Sequence, residues 1–245
     1  FKKVNNNFFI KGNINHKIIN IDEKKIDLFV KPFFPKFGFK TIKFSSNNSF
    51  LLEISKKFKL NNFEIKSEML IDESSIINNF DLKDIFPDIK KNITFSDNKL
   101  SIEFKKNYFN INGKGNILLQ NKKDDLEYTI NKKNGVLNFK SLLKIKDNPF
   151  FIDLLNYKRD EKAETYIKYE GQGNLENETL IKKFSLNEGK NKIEFKNLVF
   201  NKKLEIIELD SFKLDYTDKD RQKNLLYFKK KKTYIVLKVP TLTQI

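Results

Sequence analysis

The chain has no cysteine and no tryptophan, a single methionine, a single histidine, five prolines and eight glycines in 245 residues. Without cysteine there is neither a disulfide framework nor a thiolate metal site, and cysteine usage says nothing of the redox compartment. The one histidine, His16, sits among Asn, Lys and Ile with no companion motif, so the base that a nucleophilic Ser or Thr needs is missing and no catalytic site is expected. Neither Gly-x-Gly-x-x-Gly nor a Gly-Lys-Ser/Thr phosphate loop occurs, which leaves nucleotide binding without support. No run approaches the roughly 18 apolar residues of a membrane-spanning helix; the longest pieces are like Tyr234-Ile235-Val236-Leu237. The chain opens on Phe1 without a signal-peptide pattern, so a fragment of a longer protein is expected, with any targeting segment or anchor outside it.

What is abundant is Lys, Asn, Ile and Phe, the residues of A/T-rich codons, which points to an A/T-rich genome. The net charge of +16 would otherwise suggest nucleic acid or an anionic membrane surface. The lysines are spread along the whole chain, and the one dense run, Lys229 to Lys232, reads as a solvated turn that could also touch phosphate or lipid headgroups. No nucleic-acid partner is expected. The apolar share of 39% lies below the roughly 45–50% of ordinary domains and favours a thin or elongated body.

The commonest local pattern is a short run with apolar side chains at every second position, the mark of half-buried antiparallel strands. Ile102 and Phe104 alternate with Ser101 and Glu103; Phe109 and Ile111 precede Ile117 and Leu119; Leu126, Tyr128 and Ile130 follow. The design repeats at Leu137 and Phe139, at Ile193 and Phe195, and at Phe212, Leu214 and Tyr216. Turn signals such as Lys122-Lys123-Asp124-Asp125, Lys132-Lys133-Asn134-Gly135, Asn187-Glu188-Gly189-Lys190 and Thr217-Asp218-Lys219-Asp220 separate the runs at hairpin spacing. The expected fold is mainly β: an elongated, curved antiparallel sheet, a groove or half-open barrel, with one or two short helices. One helix is predicted over residues 147–158, with Asn148 as cap, Pro149 at the first helical position and Phe151, Leu154 and Leu155 on one face. Leu82, Ile85, Phe86 and Ile89 suggest a second, which Pro87 limits to a turn or two. Residues 1–245 read as a single repetitive β segment with a seam near 72–90.

Gly113-Lys114-Gly115-Asn116-Ile117 resembles Gly171-Gln172-Gly173-Asn174-Leu175, with Lys11-Gly12-Asn13-Ile14 as a reduced version. Two glycines one residue apart leave bare positions on one face, where a sheet bends or another group approaches; chance recurrence in a low-diversity sequence is the alternative. The carboxylate pairs Asp22-Glu23, Asp72-Glu73 and Asp124-Asp125 fall at predicted turns, and Asp218 with Asp220 lacks the Gly and distant Glu of a calcium loop, so no metal or cofactor is expected. Sequons at Asn47, Asn92 and Asn177 are of the number an Asn-rich chain produces by chance.

The order of elements from Asp81 to Lys238 resembles AsmA-like proteins, especially long bacterial members with a repeating β-groove. The segment from Asn107 to Ile117 is similar to their strand-Gly-x-Gly-strand step. Phe184 to Ile193, then Asn197-Leu198-Val199-Phe200 and the strand from Phe212 to Tyr216, are similar to later repeats. The resemblance implies a periplasmic protein held in the inner membrane by a helix absent from this chain. Its partners would be phospholipid acyl chains sliding along the apolar face between the inner and outer membranes, with no enzymatic step. The sixteen apolar residues from Ile102 to Tyr216 named with the strands above are the groove candidates. A structural or adhesive β-repeat domain with a closed core is the alternative.

Overall fold

The computed structural model describes residues 2–4, 7–30, 38–79, 81–133, 135–173, 178–201, 205–230 and 235–238. These residues are mostly strand, and the fold class expected from the sequence, mainly β and antiparallel with a short helix, is the one found. The chain divides into two compact units.

The first unit comprises Phe1–Asn79, Lys90–Leu119 and Leu126–Gly135. Its elements are β1 (Lys2–Val4), β2 (Asn7–Asp22), α1 (Glu23–Val30), β3 (Gly38–Ser55), β4 (Leu60–Ile77), β5 (Asn92–Lys105), β6 (Tyr108–Leu118) and β7 (Asp124–Lys133, whose first two residues belong to the second unit). The strands pair in chain order as an antiparallel meander. Helix α1 was not legible in the sequence, because eight residues carry too short a stripe. Its start is fixed by Asp22, whose Oδ1 accepts the Lys25 N–H at 3.2 Å, and it buries Ile26.

The second unit comprises Phe80–Ile89, Gln120–Asp125 and Val136–Ile245. It holds β8 (Val136–Ile145), β9 (Phe151–Ile152), β10 (Tyr157–Lys158), β11 (Thr165–Gly173), β12 (Thr179–Glu188), β13 (Asn191–Phe200), β14 (Ile206–Thr217), β15 (Lys223–Lys230) and β16 (Ile235–Lys238). Strand β8 pairs directly with β11, and the meander continues in order to β16, while β9 and β10 form a small hairpin of their own. Among the described residues the outermost strands of each unit do not pair with each other, and the large antiparallel sheet is not closed.

The helix predicted over 147–158 is corrected by the structure. The segment is the β9–β10 hairpin, joined by one 3-10 turn at Asp153–Leu155 and ended by Asn156 in the left-handed region at φ 50°. Asn148 does not cap a helix. It is buried, with its Oδ1 accepting the Lys122 N–H at 3.0 Å and its Nδ2 donating to Asp124 Oδ2 at 2.7 Å. The segment 81–89 makes successive tight turns, with Phe86 N–H donating to Leu82 C=O at 2.7 Å and Ile89 N–H to Phe86 C=O at 3.0 Å, in keeping with the limit set by Pro87.

Candidate functional site: the apolar sheet faces

In an antiparallel pair, directly opposed residues project to the same face, so register alone shows which side chains share a surface. In the first unit Ile102 opposes Ile111 and Phe104 opposes Phe109, while Phe104 also opposes Ile65 and Ile65 opposes Phe50. Phe109, Ile111, Gly113, Gly115 and Ile117 follow one another at every second position of β6 and so share one face. A Cβ at Gly113 would collide with the Tyr128 ring, which places Tyr128, and with it Leu126 and Ile130 two residues away, on the same face. The opposite face is polar: Thr129 Oγ1 donates to Asn112 Oδ1 at 2.9 Å, and Lys114 pairs with Glu127 at 2.6 Å. Phe109, Ile117 and Leu119 are buried, and Ile102, Phe104, Ile111, Leu126, Tyr128 and Ile130 are half-buried. Burial pushes the Tyr128 hydroxyl up to about 12.

The glycines named from the sequence have a local physical role. Gly12 lies directly opposite Phe50 and Gly171 directly opposite Phe139, and in both cases the facing ring occupies the space a Cβ would fill. Gly113 receives Tyr128 in the same way. Aromatic rings over bare backbone restore apolar cover that glycine lacks. Asn174 and Leu175, the end of the second Gly-x-Gly segment, lie outside the described residues.

The second unit arranges its apolar face in rows that cross the strands. One row is Leu143, Ile167, Leu186, Ile193, Leu214 and Leu226. The next is Ser141, Tyr169, Phe184, Phe195, Phe212 and Phe228, and beyond it lies Phe139, Gly171, Ile181, Leu198 and Leu209. Leu137 opens the outermost row, opposite Gly173. The four phenylalanines form a continuous track, with ring centroids 5.6, 6.4 and 5.3 Å apart in succession, within the range of favourable aromatic contacts.

One flank of this face is covered and dry. The β9–β10 hairpin lies against it: the Tyr157 ring meets Tyr216 edge-on at 5.9 Å, Phe150 meets Tyr157 at 6.4 Å, and Phe86 meets Phe150 at 5.4 Å. Ile145, Leu186 and Ile193 are fully buried at this flank, and Leu214 and Tyr216 nearly so. Glu188, between the hairpin and the sheet, accepts from Tyr157 Oη at 2.5 Å, Thr165 Oγ1 at 3.0 Å and Asp160 N–H at 3.1 Å. Burial and the neighbouring Glu188 carboxylate raise the Tyr157 hydroxyl far above its ordinary range. Arg159 donates through Nε to Thr165 Oγ1 at 3.0 Å, through Nη1 to Asn148 C=O at 3.1 Å, and through Nη2 to the carbonyls of Lys146 and Ala163. Asp124 is buried beside it and held above the usual carboxylate range by burial, against the hydrogen bonds from Asn148 and the Lys146 N–H.

Away from the hairpin the face opens. Phe195, Phe212, Leu137 and Phe139 are half-buried, and Tyr169 is 38% exposed. Of the candidates in this unit, Ile193, Leu214 and Tyr216 therefore lie under the hairpin, while Leu137, Phe139, Phe195 and Phe212 line the open part. Sequence reasoning did not single out Tyr169, Phe184 or Phe228 as lining residues. Phe228 ends the unbroken run Leu225-Leu226-Tyr227-Phe228, which hides the alternation, and Phe184 follows Lys182-Lys183, where the register shifts beside Gly171. Among the described residues no cluster of His, Cys, Asp and Glu is arranged to hold a metal ion.

No protein-family description matches the chain, and neither a curated protein nor a solved structure is significantly similar to it.

Proposed function

We propose that the chain is a segment of a membrane-anchored periplasmic protein of the AsmA-like type, in which the apolar sheet face shields or conducts phospholipid acyl chains between inner and outer membranes. The reading is carried by the track from Tyr169 through Phe184, Phe195 and Phe212 to Phe228, which runs across five strands without a charged side chain and stays accessible beyond the hairpin. Each CH₂ moved from water onto such a surface gains about 0.8 kcal/mol, enough to hold a chain yet nearly equal from one position to the next. A ligand so held slides without a catalytic step. The outer face carries ion pairs such as the half-buried Lys192–Glu194 at 3.2 Å and the exposed Lys230–Glu208 at 2.8 Å, which keep that side polar.

The competing reading, a structural or adhesive β-repeat with a filled core, draws on the dry flank under the β9–β10 hairpin. It requires the same cover over the aromatic track, where Tyr169 remains exposed. Organic extraction of the purified chain tests the proposal. Phospholipid should copurify with it and be lost when Phe195→Lys and Phe212→Lys are combined. A folded chain that carries no lipid and takes none from vesicles contradicts it.

A further inference from the structure

The hairpin joining β3 to β4 ends the first unit in an unusual tip. Ser55 N–H donates to Lys59 C=O at 2.8 Å, Phe58 N–H to Ser55 C=O at 2.9 Å, and Lys59 N–H to Ser55 Oγ at 3.1 Å, so the turn is closed and well defined. Phe58 within it has φ 57°, a left-handed conformation in which a bulky side chain is strained. Among the described residues the other such positions hold Gly135, Gly189, Asp97, Asn107, Asn156 and Asn197, types that tolerate it, and Arg221, which is not such a type. Here it keeps a phenylalanine that is 84% exposed, touched by one stacked ring, Phe8, at 6.5 Å. Local packing does not account for the choice.

The surroundings supply a chemical reason. Lys56, Lys57 and Lys59 flank the ring, all exposed, and Leu60 beside them is exposed as well. No carboxylate occurs between Ile54 and Asn62. The nearest acidic side chains are engaged further back, Glu53 by Asn7 Nδ2 at 2.7 Å and Glu64 by Lys66 and Lys105 at 3.3 and 3.5 Å. Because Glu64 opposes Lys105, the last residue of β5, Leu60 stands four residues further out, so the tip reaches about 13 Å beyond the end of that strand. The β5–β6 turn and the end of β7 add Lys106, Lys132 and Lys133, exposed and behind the tip.

We propose that this tip, Lys56-Lys57-Phe58-Lys59-Leu60, docks on an anionic phospholipid bilayer surface, with Phe58 and Leu60 entering the headgroup region and the three lysines contacting phosphates. An apolar side chain at the leading point and a collar of cations without anions are complementary to that interface and to little else. A nucleic acid fits less well, because base stacking without sequence preference uses a succession of rings along a basic groove, and the tip offers one ring beside an aliphatic side chain. The inference does not depend on the acyl-chain reading, which rests on the second unit.

The 245-residue chain has no tryptophan, so Phe58→Trp makes a single reporter. Its emission should shift to the blue with vesicles of phosphatidylcholine plus phosphatidylglycerol, and not with phosphatidylcholine alone. Each lysine near an anionic surface is worth about fivefold in partitioning, so combining Lys56→Gln, Lys57→Gln and Lys59→Gln should weaken cosedimentation by about a hundredfold. Phe58→Gly, which suits the left-handed position and so preserves the fold, should weaken it by about tenfold. The triple lysine variant should still copurify with as much phospholipid as the parent, which separates this test from that of the acyl-chain track. Equal binding to neutral vesicles, undiminished binding of the triple lysine variant, or displacement of the vesicles by a single-stranded oligonucleotide would each overturn the proposal.

Discussion

Glu188→Ala is the most informative single perturbation of this structure. The carboxylate is buried and accepts from Tyr157 Oη, Thr165 Oγ1 and the Asp160 N–H, with Asn191 Nδ2 at 3.4 Å. Tyr157 and Thr165 are themselves buried, so truncation leaves two hydroxyl donors with no water to turn to. An unsatisfied buried donor costs about 1–3 kcal/mol, which places the substitution at about 3–5 kcal/mol once partial relaxation is allowed. That is a large part of the roughly 5–15 kcal/mol that holds a typical domain. Urea unfolding followed by tyrosine near-ultraviolet circular dichroism should show the midpoint falling accordingly. The loss should come with new binding of an apolar dye, because the hairpin no longer covers Ile145, Leu186 and Ile193. Glu188→Gln retains the shape and one acceptor and should cost about half as much. If Glu188→Ala lies within about 1 kcal/mol of the parent and binds no dye, the hairpin is not held as described.

Gly171→Ala forces a Cβ against the Leu180 carbonyl and the Phe139 ring, and should destabilise by about 2–3 kcal/mol in the same assay, whereas Gly135→Ala, which meets no neighbour, acts only through its φ of 81°. Phe58→Gly removes left-handed strain from an exposed side chain and should raise stability by about 0.5–1 kcal/mol, read as a higher urea midpoint. Asp124 binds its proton more tightly folded than unfolded, so the stability this proton contributes is complete below the ordinary carboxylate value near about 4 and is lost as pH rises through the raised one. The decline in midpoint between acid and neutral pH should therefore be shallower in Asp124→Asn than in the parent.

The strands were legible because alternation carries its own physics: Ile102 and Phe104, or Phe212 and Leu214, can be covered together only as successive residues of one sheet face. What lies on that face was not legible. Asn148-Pro149 has the form of a helix start, yet Lys122 and Asp124, distant in sequence, take the Asn148 side chain, and Arg159 collects the carbonyls that would otherwise open a helix. The cover over Ile193, Leu214 and Tyr216 is thus a tertiary fact, set by contacts among residues 82–89, 120–124 and 148–163. The same holds for Phe184 and Phe228, whose place in the aromatic track follows from register across β12 to β15 and not from their neighbours in sequence. Glycine spacing was informative for a reason the sequence could not supply, the aromatic ring facing Gly12, Gly113 and Gly171.

The central claim is that acyl chains occupy the open aromatic track and not the flank beneath the hairpin. Site-specific photocrosslinking tests this most directly, with p-benzoylphenylalanine replacing, one at a time, Phe195, Phe212, Ile193 and Leu214 in the chain expressed in bacteria. Lipid adducts detected by mass spectrometry should form at Phe195 and Phe212 and be absent at Ile193 and Leu214. Adducts at none of the four positions, or equally at all of them, would contradict the account.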